Sequence, residues 1–393
     1  MISDGTILKE RAWAEIEARR PQLEAVAQRI LAHPELGYAE VQASRWLGEL
    51  LAGHGFAVEQ PFGRLSTAFR ATVGGDTRPQ VALLAEYDAL PEVGHGCGHN
   101  LIGAAAAGAA LGVATVMGDL SGSVSVIGTP AEEYLGQVEG KLKLLEAGAF
   151  QDVDVALMMH PQYEHRVLGG DLGFVACEIT FAGRPAHAAA DPWNGANALD
   201  GLLLTFNNIN ALRQHLHPEI RVHGIVTDGG QAPNIIPERA SASLMVRADT
   251  PEKLEAALVR VEDCARAGAL ASGTEVTIER TTTVYNSRLN PTLNRLTLEN
   301  YAQLGVEIDE TPVQMGASSD FGNVSQVLPA AMFQVRTHPA GVPWHSAEVA
   351  RLSGEALALD GMLIGAKVLA GMVVDLLGDA ALLAQVQADF EQA

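Results

Sequence analysis

Cysteine is scarce: Cys97, Cys177 and Cys264 are the only three in 393 residues. An odd, sparse set builds no disulfide framework and points to a reducing compartment. Basic residues are also few, 26 Lys and Arg against 47 Asp and Glu, for a formal net charge of −21. That balance argues against nucleic acid or an anionic membrane as partner, and an anionic substrate must be held by local cations or metal. The opening stretch, MISDGTILKERAWAEIEARR, is charged and helical in pattern and lacks the apolar core of a signal peptide, so a cytoplasmic protein is expected. The one long apolar run noted, Leu101 to Met117, is short for a membrane span. It carries four consecutive Ala and three Gly, which suits a tightly packed internal helix. Internal repeats, low-complexity tracts and charge blocks are missing, as is a helix-opening Gly-x-Gly-x-x-Gly after a strand.

What is present fits a globular chain long enough for two domains, with 48% hydrophobic and 19% charged residues. Helices are expected over Leu8 to Ala32, with a break at Pro21, and over Glu40 to Leu51. Strands are expected at Phe56–Gln60, Ala68–Val73, Gln80–Ala85, Ser123–Gly128 and Val153–Met159, with a helix over Gln137–Glu146. Three of these apolar strands end in acid–base or ligand residues. Gln80–Ala85 runs into Glu86 and Asp88 and then a loop bearing Cys97 and His99, Ser123–Gly128 leads to Glu132-Glu133, and the strand before His160 ends in His-Pro. Ligands in open α/β sheets collect at the carboxyl ends of strands, and a thiolate beside imidazoles suits zinc or a similar transition metal.

From about Gly173 the order becomes strand (Phe174–Phe181), helix (Gly195–His215), strands (Val222–Thr227, Ala240–Ala248), helix (Pro251–Ala267), strand (Glu275–Arg280). This βαββαβ order is a ferredoxin-like unit and reads as an insertion. After it come a helix at Pro291–Leu304, the polar turn MGASSDFG, a strand at Ala330–Val335, His345, and a long helix from about Leu352.

Each candidate has a plainer reading. Glu132-Glu133 suits a helix N-terminus, but its company with Cys97, His99 and His160 at equivalent strand ends favours a site. His345 precedes Ser346, a ready helix cap. His187, in GRPAHAAADPWNGANALD, either polarises a substrate carbonyl or makes a local turn. Asn234 and Arg247 either hold a substrate carboxylate or serve turn geometry and surface charge. Cys177 and Cys264 are expected to pack in the core.

The runs AEYDALPEVGHGCGHN, GTPAEE, MMHP, GRPAHAAADPWNGANALD, GGQAPNIIPERA and GASSDFGNVS, together with His345, resemble the M20 metallopeptidases. The similarity is to the amidohydrolase branch with p-aminobenzoyl-glutamate hydrolases, N-acyl-amino-acid hydrolases and β-alanyl-lysine-type dipeptidases. It implies a two-domain α/β metallopeptidase. A mixed-sheet catalytic domain (1–172 and 285–393) would be interrupted by a ferredoxin-like lid and dimerisation domain (173–284). It implies Cys97, His99, Glu133, His160 and His345 as ligands of two divalent ions, zinc first with manganese, cobalt or nickel as alternatives. Glu132 becomes the general base, Asp88 an acid orienting a ligand, and His187 the histidine of the inserted domain. The implied activity is hydrolysis of the amide in a small N-acyl amino acid, p-aminobenzoyl-glutamate-like conjugate or dipeptide by a homodimer. Hydrolysis of another C–N bond, or silent binding on the same fold, stands as the alternative. Glu86 stands where the wider family has His, and Asn100 where most of the branch has Asp, which leaves one metal's ligand set open.

Overall fold

In the computed structural model, residues 4–74, 77–133, 138–313 and 316–392 are described. The chain opens with α1 (Asp4–Ala18), α2 (Arg20–Ala32) and α3 (Val41–Ala52). Then come β1 (Ala57–Glu59), β2 (Phe69–Val73), β3 (Gln80–Ala85), α4 (His99–Ala114), β4 (Ser123–Gly128), α5 (Gly140–Glu146), β5 (Val155–Gln162) and β6 (Arg166–Leu168). A second set follows: β7 (Gly173–Ala182), α6 (Ala198–Leu212), β8 (Arg221–Asp228), β9 (Arg239–Ala248), α7 (Pro251–Ser272) and β10 (Glu275–Val284). The chain closes with α8 (Pro291–Gln303), β11 (Asp309–Val313), α9 (Phe321–Val327), β12 (Ala330–Arg336), α10 (Ala347–Leu352), α11 (Ala356–Gly378) and α12 (Ala380–Gln392). Two compact units result. One comprises Met1–Gly170, Arg288–Met315 and Asn323–Ala393; the other comprises Asp171–Ser287 with Gly316–Gly322.

The first unit is built on an eight-stranded mixed sheet, ordered β1-β2-β4-β3-β5-β12-β6-β11. Its centre is parallel: β3 pairs with both β4 and β5, and β5 with β12. β3 and β4 are buried along their whole length, which explains the apolar run Val81–Ala85; β4 carries Ser123 and Ser125 inside as well. Because the central strands are parallel, the segments after β3 and β4 and the end of β5 emerge along one edge of the sheet.

Helix α4 lies across this sheet, packed against α1, α2 and α11, and is buried from His99 to Val113. Its Ala and Gly let neighbouring backbones approach: a Cβ at Gly112 would stand 2.6 Å from the carbonyl oxygen of Ala12. Among the described residues, the helix long and apolar enough to cross a membrane is α11, not the Leu101–Met117 run noted from sequence. In α11, 78% of the apolar window is buried within the fold, as in a core helix.

The second unit is an antiparallel sheet ordered β10-β7-β9-β8, covered by α6 and α7. The βαββαβ order and this strand arrangement are those of the ferredoxin-like fold. Val175, Cys177, Ile179 and Phe181 of β7 alternate into a core shared with Leu202 and Ile209 of α6 and Leu258 and Val261 of α7. Asn197 and Thr250 cap the two helices, accepting from amides two or three residues on.

Local differences from the sequence reading have plain causes. The first helical stretch breaks at Arg19, because Pro21 sits in the first turn of α2, where its missing N–H costs nothing. α5 begins at Gly140, while the expected start at Gln137 lies outside the described residues. β5 continues through His160 and Pro161 to Gln162, because β12 pairs with it in register as far as Arg336. β6 and β11, short and carrying Arg166 and Asp309, had no clear apolar pattern.

Candidate metal centre

Cys97 and His99 flank Gly98, the N-cap of α4. Gly98 has φ +79°, and a Cβ there would lie 2.9 Å from Pro161 Cγ. Only glycine turns the chain this tightly against β5, so Cys-Gly-His is a geometric requirement here. Cys97 Sγ then stands 3.7 Å from His160 Nε2. His160 Nδ1 donates to the carbonyl of Pro161 at 2.9 Å, which leaves the Nε2 lone pair facing the thiol.

His99 is fully buried and donates from Nδ1 to Asp88 Oδ1 at 2.7 Å. Its Nε2 faces Glu86 Oε2 at 3.3 Å, Glu133 Oε1 at 3.9 Å and Glu132 Oε2 at 4.0 Å. His345 adopts φ +53° and brings Nε2 to 3.1 Å from Glu133 Oε1. Ser346 does cap α10, accepting from Val349 N at 3.3 Å, and this cap leaves the His345 side chain directed at Glu133.

Donor atoms converge in overlapping groups, among them Cys97, His99 and His160; Cys97, Glu133 and His345; and His99, Glu132 and Glu133, with separations within 4.8 Å in each. Ligands on one tetrahedral zinc lie roughly 3.4–3.6 Å apart, close to the Cys97–His160 and Glu133–His345 distances. His99 Nε2 and Glu86 Oε2, both buried, have no hydrogen-bond partner among the described residues. In the neutral ring, with the proton on Nδ1, two lone pairs would face each other there, so a positive charge, either a proton on Nε2 or a metal ion, belongs between them. The residues therefore fit a metal.

Electrostatics say the same. Burial lowers the pKa of His99, but Cys97, Asp88 and Glu86 outweigh it and hold the imidazole well above its ordinary value. Burial opposes ionisation of Glu133, yet His345 and His99 bring it down to about 2. The Cys97 thiol is pushed well up, first by burial and then by the charge of Glu133. The pocket concentrates carboxylates and calls for positive charge.

In the second unit, His187 is exposed and bridges Ile235. Its Nδ1 accepts from the amides of Ala189 and Ala190 at 3.2 and 3.1 Å. Backbone amides can only donate, so the neutral ring carries its proton on Nε2, free to donate outward. Arg247 donates to Ser318 Oγ at 2.7 Å and to His223 Nε2 at 3.3 Å, and its guanidinium lies over Phe174, 5.1 Å from the ring centroid. None of these partners is anionic, and burial lowers the Arg247 pKa. Asn234 is exposed, and its carbonyl accepts from Ala188 N at 3.0 Å.

Residues 170–273 match the model of the M20 peptidase dimerisation domain. The chain is 38% identical to a mouse (Mus musculus) Xaa-Arg dipeptidase, covering 98% of this chain and 92% of that protein. The chain belongs to the M20 peptidase family. The B subunit of the p-aminobenzoyl-glutamate hydrolase of Escherichia coli (strain K12) is 30% identical, over 96% of this chain and 93% of that one. A dinuclear metal-binding M20 peptidase from Bacillus subtilis shares the fold, with a TM-score of 0.72, 21% identity, and 92% and 99% of the two chains covered. As an M20 member the chain is a metal-dependent amide hydrolase.

Two residues of this M20 site escaped the sequence reading. Lys141, fully buried on α5, donates to Glu86 Oε1 at 2.5 Å. Burial alone would raise the Glu86 pKa, but Lys141, His99 and His160 together hold it low. Glu40, also fully buried, accepts from Ala131 N at 2.8 Å. In sequence Lys141 belongs to an ordinary charged helix, GKLKLLE, and Glu40 to a helix start. A sequence pattern offers no sign that either turns its polar end inward, where burial and then Asp88 push the Glu40 pKa up to about 7.

Proposed function

We propose that the chain cleaves the amide of a small dipeptide or N-acyl amino acid whose amine-derived half keeps a free carboxylate. The convergence of Cys97, His99, Glu133, His160 and His345 around one pocket, with the Glu132 carboxylate beside it, carries this reading. These five residues would hold two divalent ions. Zinc suits the thiolate and imidazoles best, with manganese, cobalt and nickel as the alternatives metal analysis distinguishes. When bound, such ions lower the pKa of a water and polarise the scissile carbonyl.

The protein's own groups do the rest. Asp88 holds His99 in one tautomer, and the Pro161 carbonyl does the same for His160, so that each presents Nε2. Glu132 takes the proton of the attacking water and passes it to the leaving nitrogen. His187, with its proton on Nε2, donates to the developing oxyanion. Arg247, flanked by neutral partners, pairs with the substrate carboxylate, and Asn234 assists.

The relatives named above act on Xaa-Arg and aminobenzoyl-glutamate, which share that carboxylate and differ in side-chain charge. The net charge of −21 favours approach of a basic side chain, so Xaa-Arg dipeptides are the first substrates to assay. The M20 segment over residues 170–273 supports a homodimer formed through the inserted unit. The cysteine usage supports a cytoplasmic setting. Glu132→Ala should keep its metal and lose roughly a thousandfold in kcat, whereas Glu133→Ala should lose metal. Near-normal turnover in Glu132→Ala would refute the assignment.

A further inference from the structure

Glu40 is the N-cap residue of α3, yet its side chain makes no capping bond there. Its Oε1 instead accepts from the backbone of Ala131, at 2.8 Å. Ala131 is buried and held at φ +61°. An alanine avoids that region because its Cβ crowds the carbonyl oxygen, so a neighbouring group has to hold it there.

The next residue is Glu132. One residue further, Glu133 N donates to Asp88 Oδ2 at 2.9 Å. The carbonyl of Ala131 accepts from Gly140 N at 3.2 Å, and a Cβ at Gly140 would fall 1.7 Å from the carbonyl oxygen of Pro130. The backbone is thus tied to a buried carboxylate on each side of Glu132, Glu40 before it and Asp88 after it. Asp88 also orients His99. Glu40 bonds no candidate ligand side chain: its carboxyl meets the amide of Ala131 and the side chain of Thr67, and it also feels the charge of Asp88.

We propose that Glu40 is a positioning residue for the general base: it pins the left-handed turn at Ala131 and so aims the Glu132 carboxylate into the pocket. The inference rests on Glu132 being the base. An acceptor oxygen at this position is what the turn needs, and glutamine supplies one as well as glutamate does. Aspartate keeps the charge but is one methylene short of Ala131.

The test compares Glu40→Gln, Glu40→Asp and Glu40→Ala. In metal-free protein, hydrogen exchange at the Ala131 amide should quicken at least about tenfold in Glu40→Asp and Glu40→Ala and stay near wild type in Glu40→Gln. In metal-loaded protein, kcat should fall roughly 10- to 100-fold in the first two, with KM and metal content held within about threefold, because a misaimed base loses turnover without losing binding. Glu40→Gln should stay within about threefold of wild type. Wild-type exchange and kcat in Glu40→Asp would overturn the proposal, and so would a Glu40→Gln as impaired as Glu40→Asp, or a loss of metal matching the loss of rate. A parallel Glu132→Gln separates the two readings. If it keeps turnover, the base assignment itself fails. If it is inactive while Glu40→Asp and Glu40→Ala are normal, only the clamp fails.

Discussion

Replacing Lys141 with Met tests whether the pocket depends on one buried cation. Nζ of Lys141 and Oε1 of Glu86 are 2.5 Å apart, and both side chains have no solvent exposure. At an effective dielectric of about 20 that contact is worth roughly 7 kcal/mol of Coulomb energy before desolvation. Removing one partner of a buried pair typically costs about 3–5 kcal/mol, because the other charge is left without compensation. His99 Nε2 remains 3.3 Å from Glu86 Oε2, which places the expected loss in the lower half of that range. The sign with pH follows. Without Lys141, burial pushes the folded-state pKa of Glu86 above its unfolded value. The penalty is then full at neutral pH and fades as pH falls towards the unfolded carboxylate range. Urea unfolding of chelator-treated protein at pH 7 and pH 5 reads both effects. The double variant Lys141→Met/Glu86→Gln removes both charges and should recover about 2 kcal/mol of the single variant's loss. A Lys141→Met protein within about 1 kcal/mol of wild type at pH 7, or a double variant no better than the single, refutes the reasoning.

Arg247→Ala should cost roughly a hundredfold in kcat/KM on a free-acid substrate and little on its methyl ester, as expected for a lost charge-assisted contact. Equal wild-type rates on acid and ester would remove the carboxylate anchor. His187→Ala should lower kcat by about 10- to 1,000-fold with little change in metal content, and a normal kcat clears His187 of the role. Asp171 is buried, its pKa raised to about 6 by burial against the opposing bonds from Ser287. A raised carboxylate favours the folded state below its unfolded pKa of 3.8, and that contribution is lost as pH rises through about 6. Asp171→Asn should therefore flatten the pH dependence of stability between about pH 4 and 6 by up to roughly 3 kcal/mol. Unfolding curves of the two proteins that stay parallel across this window would exclude Asp171 as the source.

Patterns with a short physical reach were legible in the chain itself. The apolar run Val81–Ala85 is a strand because a parallel strand between two layers must be apolar on both faces. The βαββαβ order of residues 173–284 was legible because each element has its own period, whereas the inclusion of Gly316–Gly322 in the second unit was not. Cys97, His99, Glu132, Glu133 and His160 stood out as a group because parallel strands deliver their C-terminal residues to one edge.

Tertiary structure decided the rest. Glu86 and Lys141 are 55 residues apart and Glu40 and Ala131 91 apart, and no local rule says that a charge on an ordinary helix turns inward. His345 reaches Glu133 through a backbone at φ +53°, which its neighbours Trp344 and Ser346 do not announce. β5 runs on through Pro161 because β12 continues beside it, and a strand's end is set by its partner. Sequence determines which groups can carry the chemistry, through local propensity and periodicity. Their aim and their protonation depend on burial and on partners that only the folded chain brings within a few ångströms, where desolvation and Coulomb forces become large.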